Sequence, residues 1–139
     1  MPQHSGKPLV QKLGIKAGER VLVVRGPKDY ESLIQPIPGV VILRRSGKGP
    51  FDVIHVFATR VRELEADLHR LSAIMRDDGV IWASWPKKSS GVVTDLDDNT
   101  VRTLALEIGL VDVKVCAVDD TWSGLKLVRR LRDREVRRR

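Results

Sequence analysis

The chain has one cysteine in 139 residues, and only three tryptophans, two phenylalanines and one tyrosine. A single cysteine, Cys116, cannot close an intramolecular bridge, so a disulfide-stapled secreted domain is excluded and a cytoplasmic protein is expected. There is no C-x-x-C pair, and His4, His55 and His69 share no metal-ligand spacing, so no metal site is expected. No apolar run approaches the roughly 20 residues of a membrane span. The opening MPQHSGKPLVQK lacks the apolar centre of a signal peptide. The G-x-x-x-x-G-K-[ST] spacing of a P-loop is missing. So few aromatics leave little stacking surface, which argues against a dedicated single-strand nucleic-acid binder.

The length suits one domain, which would bury roughly two-thirds of its unfolded surface and fold without staples. The net charge of +7 is unevenly placed: Lys126 to Arg139 carries eight basic and two acidic residues, a net +6. The expected organisation is therefore one nearly neutral domain over 1–130 and a basic, flexible tail over 131–139. Such a tail solubilises, and it can hold nucleic acid weakly through counterion release. Nothing in the sequence fixes an oligomeric state.

Apolar periodicity then gives the elements. Pro8 to Leu13 reads as a short helix stopped by Gly14. Arg20–Val24, Val40–Leu43, Phe51–Phe57 and Val80–Trp85 read as strands, with a short helix over Asp29–Ile34 ended by Pro36. Val61, Leu64, Leu68, Leu71 and Met75 form the stripe of an amphipathic helix that Thr59 can cap, and Gly79 ends the connection to the next strand. A second helix carries Val101, Leu104, Ala105 and Ile108, with Asp97 as N-cap, Leu96 and Val101 as staple and Gly109 as C′. Val113–Val118 and Leu125–Val128 are joined by the polar turn DDTWSG, too short for a crossover, so they should pair antiparallel. Strands separated by helices imply an α/β, Rossmann-like, mostly parallel sheet of about six strands. It would have a C-terminal antiparallel hairpin and helices on both faces. Ligands of such sheets bind at the edge where the strands end.

Helix, AGERVLVV strand, alternation and final hairpin together resemble the class I methyltransferase superfamily. WPKKSSGVVTDL (Trp85–Leu96) and KVCAVDDTWSGL (Lys114–Leu125) resemble the signatures of a small bacterial family of unknown function with that outline. The superfamily resemblance implies a glycine-rich turn after the first strand and an acid at the end of the second, both serving S-adenosylmethionine. The turn here is Val24, Arg25, Gly26, Pro27, Lys28, and Pro27 removes a backbone donor. The second strand ends in Arg44 and Arg45, which cannot accept from a ribose diol but suit a phosphate. There is no room for a third parallel strand between Leu43 and Phe51. Ordinary S-adenosylmethionine binding is therefore disfavoured, leaving Gly26, Lys28 and Arg44 as a weak cofactor set.

The candidate ligand site is instead the loop Trp85, Pro86, Lys87, Lys88, Ser89, Ser90, Gly91, whose cations, hydroxyls and backbone could cradle a small anion. The hairpin turn with Asp119, Asp120, Trp122 and Ser123 should reach the same edge, beside the fourth strand. There an aspartate could meet Lys87 or Lys88, and Trp122 could face Trp85 across a pocket. The competing reading is that these loops only lock each other. Cys116 reads as a buried thiol, Trp82 as core, Asp52 as a cap or surface acid, and His55 as a hydrogen-bonded core residue in preference to a base. No catalytic acid–base pair is visible. Three functions stay open: a methyltransferase-like domain with an anion site, a non-enzymatic module binding protein or nucleic acid through its tail, and a methyltransferase with an atypical cofactor loop.

Overall fold

A computed structural model describes residues 8–34, 39–44, 48–131 and 133. Its elements are α1 (Leu9–Lys12), β1 (Arg20–Val24), α2 (Tyr30–Ile34), β2 (Val41–Leu43), β3 (Phe51–Phe57), α3 (Val61–Ser72), β4 (Met75–Pro86), a 3-10 turn (Lys88–Ser90), α4 (Asp98–Glu107), β5 (Leu110–Ala117) and β6 (Trp122–Arg129). They build one six-stranded sheet in the order β2-β1-β3-β4-β6-β5. The first four strands are parallel, and β6 runs antiparallel between β4 and β5. The expected sheet class and C-terminal antiparallel hairpin hold.

The parallel strands are apolar on successive residues because both faces are covered. On one face α3 and α4 lay Leu64, Leu68, Leu71, Val101 and Ala105 over Leu22, Ile54, Val56 and Ile81. On the other, Val10, Leu13, Tyr30 and Ile34 cover Val21, Val23, Phe57 and Trp82. The fully buried Trp82 indole donates to the Leu13 carbonyl at 2.9 Å, so its N–H is not stranded.

Three local expectations need correcting. The stripe through Met75 does not stay helical: α3 stops at Ser72, and Met75 opens β4, pairing with Phe51. Gly79 therefore lies inside β4, at a register shift so tight that a Cβ there would sit 2.9 Å from Met75 Cγ and 3.1 Å from the Asp52 carbonyl. Thr59 does not cap α3. Arg60 holds the N-cap position with no side-chain bond, and Asp95 reaches across to accept from the Val61 amide at 2.8 Å. Finally, β6 begins at Trp122, so Trp122 and Ser123 are strand residues. The second helix follows expectation: Asp97 accepts from the Thr100 amide at 2.8 Å, Leu96 and Val101 are buried, and Gly109 has φ +82°. His4, Pro36, Arg45 and most of the 131–139 tail lie outside the described residues.

Candidate functional site

Strand order reverses between β1 and β3, so the expected crevice lies where those two strands end. Arg25 stands there, one residue past β1, with φ 56°, a left-handed conformation uncommon for a residue with a side chain. Its Nε donates to the Phe57 carbonyl at the end of β3 at 3.0 Å and lies 3.4 Å from Glu63 on α3. Its terminal nitrogen pairs with Asp67, a buried carboxylate that also accepts from Arg70 at 3.2 Å. Arg25 thus ties the end of β1 to β3 and α3 across the reversal point. A buried carboxylate with two guanidinium partners has the compensation its desolvation demands.

The next turn is fixed just as closely. A Cβ on Gly26 would fall 2.4 Å from Val23 Cγ1, so no side chain fits there. Arg44, past the end of β2, makes a bidentate pair with Glu31, at 3.0 and 2.7 Å. It also donates to the carbonyls of Pro27 (2.9 Å) and Lys28 (3.3 Å). The Glu31 carboxyl is held below its ordinary range, chiefly by that hydrogen bond from Arg44. Arg44, in the weak cofactor set with Gly26 and exposed Lys28, therefore acts as a strap over the loop that a cofactor would approach.

Beneath this edge lies a buried polar chain. His55 Nδ1 meets the Tyr30 hydroxyl at 2.9 Å and Nε2 meets the Ser84 hydroxyl at 2.7 Å. Phe57 stacks on the imidazole at 4.2 Å and receives Trp122 edge-on at 5.0 Å. Burial pushes His55 down to about 3, so it is neutral, with one nitrogen donating and the other accepting. Burial raises the Tyr30 phenol as well. Because His55 and Ser84 are both inaccessible, the trio is a satisfied core network and no nucleophile for an outside substrate. Cys116 is also buried, and desolvation raises its thiol.

The second half of the edge holds the remaining candidates. Lys87 donates its amide to the Thr121 carbonyl at 2.8 Å, which locks the WPKKSSG loop to the hairpin turn through backbone. Asp119 does not reach either lysine; its carboxylate accepts from the Thr121 and Trp122 amides, both at 2.8 Å. Asp120 is exposed, and among the described residues neither Lys87 nor Lys88 forms an ion pair. The Ser90 hydroxyl closes the 3-10 turn on the Lys87 carbonyl at 2.7 Å, while Ser89 is exposed. Ser123 pairs with Trp85 in the β4–β6 ladder. Trp85 packs under α3 and α4 whereas Trp122 packs on the opposite face, so the two indoles do not face one another. Alternation along β6 separates them: Trp122 stands beside Pro86, one position beyond Trp85.

A cavity of about 570 Å³ opens at the other end of the sheet, lined by Gly49, Pro50, Ile74, Met75, Arg76 and Asp78. Its charges are already paired, Arg76 lying 3.4 Å from Asp52 and 3.8 Å from Asp78. Sequence reasoning missed Arg25 and its partner Asp67. The available signal was position: Asp67 sits three residues after Leu64 and four before Leu71, on the stripe α3 buries.

This strand order and hairpin define a methyltransferase-like Rossmann fold. A SAM-dependent methyltransferase from Aquifex aeolicus matches with a TM-score of 0.63 at 12% identity, over 86% of each chain. Magnesium protoporphyrin IX methyltransferase from Synechocystis, with bound SAH, matches at 0.59 and 11% identity, over 88% of this chain and 80% of that one. A ribosomal protein methylase from Lactobacillus delbrueckii matches at 0.56 and 14% identity, over 88% and 75%. At these identities the likeness is one of fold. No family model matches the chain, and no curated protein matches it in sequence.

Proposed function

We propose that this chain is a methyltransferase-fold binding domain without ordinary S-adenosylmethionine-dependent activity. The observation that carries the reading is Arg25. Its guanidinium lies across the reversal point, bonded to the β3 end and to α3, at the place where this fold approaches its ligand. The residues present do not fit the fold's usual cofactor. Arg44 has no lone pair to accept from a ribose, and its donors are bound to Glu31 and to the loop itself. The proposal extends to membership of the small bacterial family, which rests on the Trp85–Leu96 and Lys114–Leu125 motifs. A cytoplasmic location belongs with it; among the described residues no helix is long and apolar enough to cross a membrane. Calorimetric titration of the full chain with S-adenosylmethionine and its demethylated product tests the reading. No heat of binding up to millimolar ligand is expected. A micromolar Kd for either overturns it in favour of a methyltransferase with an atypical loop.

A second reading, a small anion held by Lys87, Lys88, Ser89 and Ser90, is favoured by the two lysines forming no ion pair among the described residues, although the Lys88 charge also acts on the Asp97 carboxylate. Pyrophosphate at one hundred times its Kd would raise stability by about 2.7 kcal/mol. Replacing both lysines with alanine should abolish the rise in midpoint.

A further inference from the structure

Lys114 on β5 and Lys126 on β6 are direct register partners, so their side chains stand side by side. Directly opposed like charges destabilise a strand pair, and an intramolecular acid would ordinarily relieve them. None does: among the described residues neither lysine has an ion pair, and the acid nearest in sequence, Asp112, is bound to Arg102 on α4 at 3.0 Å. Both lysines lie on the face away from α4. Lys126 is opposite Trp82, whose cluster is the α1 side, while its neighbours Leu125 and Leu127 point to the α4 side.

Further cations join this face. Lys12, at the end of the helix that covers this face, and Lys87, next to the Pro86 that pairs with Trp122, both act with Lys114 on the Cys116 thiol. Alternation along β6 carries the row from Lys126 past half-buried Val128 towards Arg130 at the strand end. The eight residues of β6 span about 27 Å at roughly 3.4 Å each. At the upper end Asp119 is engaged by turn amides and Asp120 is exposed. Along the strands themselves no carboxylate shares the face. No exposed aromatic lies among the described residues, so bases would find nothing to stack on.

We infer that the α1-side face of β5 and β6, with Lys12, Lys87, Lys114 and Lys126, is a docking surface for the phosphate backbone of a nucleic-acid duplex. Charge complementarity argues for this occupant: a row of cations without ion pairs among the described residues matches a regular line of phosphates, and the aromatic-poor face suits a duplex better than a single strand. The row also leads into the arginine-rich segment after Arg129, where most of the chain's net charge resides. Contacts of this kind position without reading sequence.

The test is fluorescence anisotropy of the full chain with a labelled 24-base-pair DNA duplex across a salt series. Wild type should bind at low salt. Lys114→Glu/Lys126→Glu should weaken binding at least tenfold and reduce the salt slope by about two. The milder Lys114→Gln/Lys126→Gln should weaken it less, and thermal midpoints show whether both variants fold. Wild-type affinity in either folded variant would overturn the proposal, leaving the arginine segment as the whole site. It fails equally if the duplex does not bind, or if poly-glutamate binds more tightly than the duplex. Cofactor titration is independent of every one of these outcomes.

Discussion

Two regions of the sheet treat their cations in opposite ways. Around β1 and β2, Arg25 and Arg44 are each held by carboxylates and main-chain carbonyls. Around β4, β5 and β6, Lys87, Lys88, Lys114 and Lys126 have no such partners among the described residues. The difference follows side-chain chemistry. A guanidinium offers a rigid fork that satisfies several acceptors at once, so it braces structure, whereas an ammonium on a flexible stem stays hydrated and exchangeable. The arginine half is internally complete; the lysine half is the part proposed to meet a phosphate backbone.

The strongest way to break this contrast is at the seam. Phe57 is buried, stacks on His55, receives Trp122 from the lysine half, and through its carbonyl anchors Arg25. Phe57→Ala should cost about 3–5 kcal/mol in denaturant unfolding. A loss under 1 kcal/mol would mean that the halves are not joined there.

Acid should act next, and it reaches the seam before the carboxylates of the arginine half. The ordinary His55 value is 6.5 and the folded one about 3. Above pH 6.5 the imidazole is neutral folded or unfolded, and its contribution is complete. As pH falls through 6.5 the unfolded chain takes a proton that the fold refuses, and stability drops by up to about 1.4 kcal/mol per pH unit until pH 3. Unfolding curves between pH 4 and 7 measure the slope, and a chain with His55→Gln should lose this histidine's share of it.

Smaller effects separate the halves by sign. Arg25→Gly relieves a left-handed residue but takes one of two guanidinium partners from buried Asp67, so a net loss of about 1–2 kcal/mol is expected. If the closed edge depends on Arg25, this variant should be more readily digested in the Gly26–Lys28 loop. Lys114→Thr should raise the thermal midpoint slightly, by roughly 0.2–1 kcal/mol of relieved repulsion. A drop instead would mean that Lys114 has an internal partner.

Periodicity carried most of the fold. The alternation of apolar runs and helical stripes placed all six strands in type, the first three to within a residue and the last three too short, and the short DDTWSG link required the hairpin. What escaped was long-range. Met75 continues a helical stripe by spacing, and only pairing with Phe51 makes it a strand residue. Asp95 caps a helix that begins thirty-four residues earlier, which no local window could show. At the edge, the presence of Arg44 was legible but its bond to Glu31 was not, because a guanidinium aimed at a ligand and one aimed at a neighbour read alike. The expected link between Asp119 and the lysines gave way to local geometry: the carboxylate bonds amides two and three residues on, which cost it little ordering.

The register shift between Asp112 and Lys114 has one more bearing. β5 is an outer strand, and Val113 and Val115 are 55% and 54% exposed on either side of that lysine. A long flat outer strand with such valines would recruit the same strand of another molecule and grow an aggregate. The irregular pairing and the charge of Lys114 interrupt that template, so the opposed-lysine arrangement, unfavourable within one fold, works against growth from strand to strand.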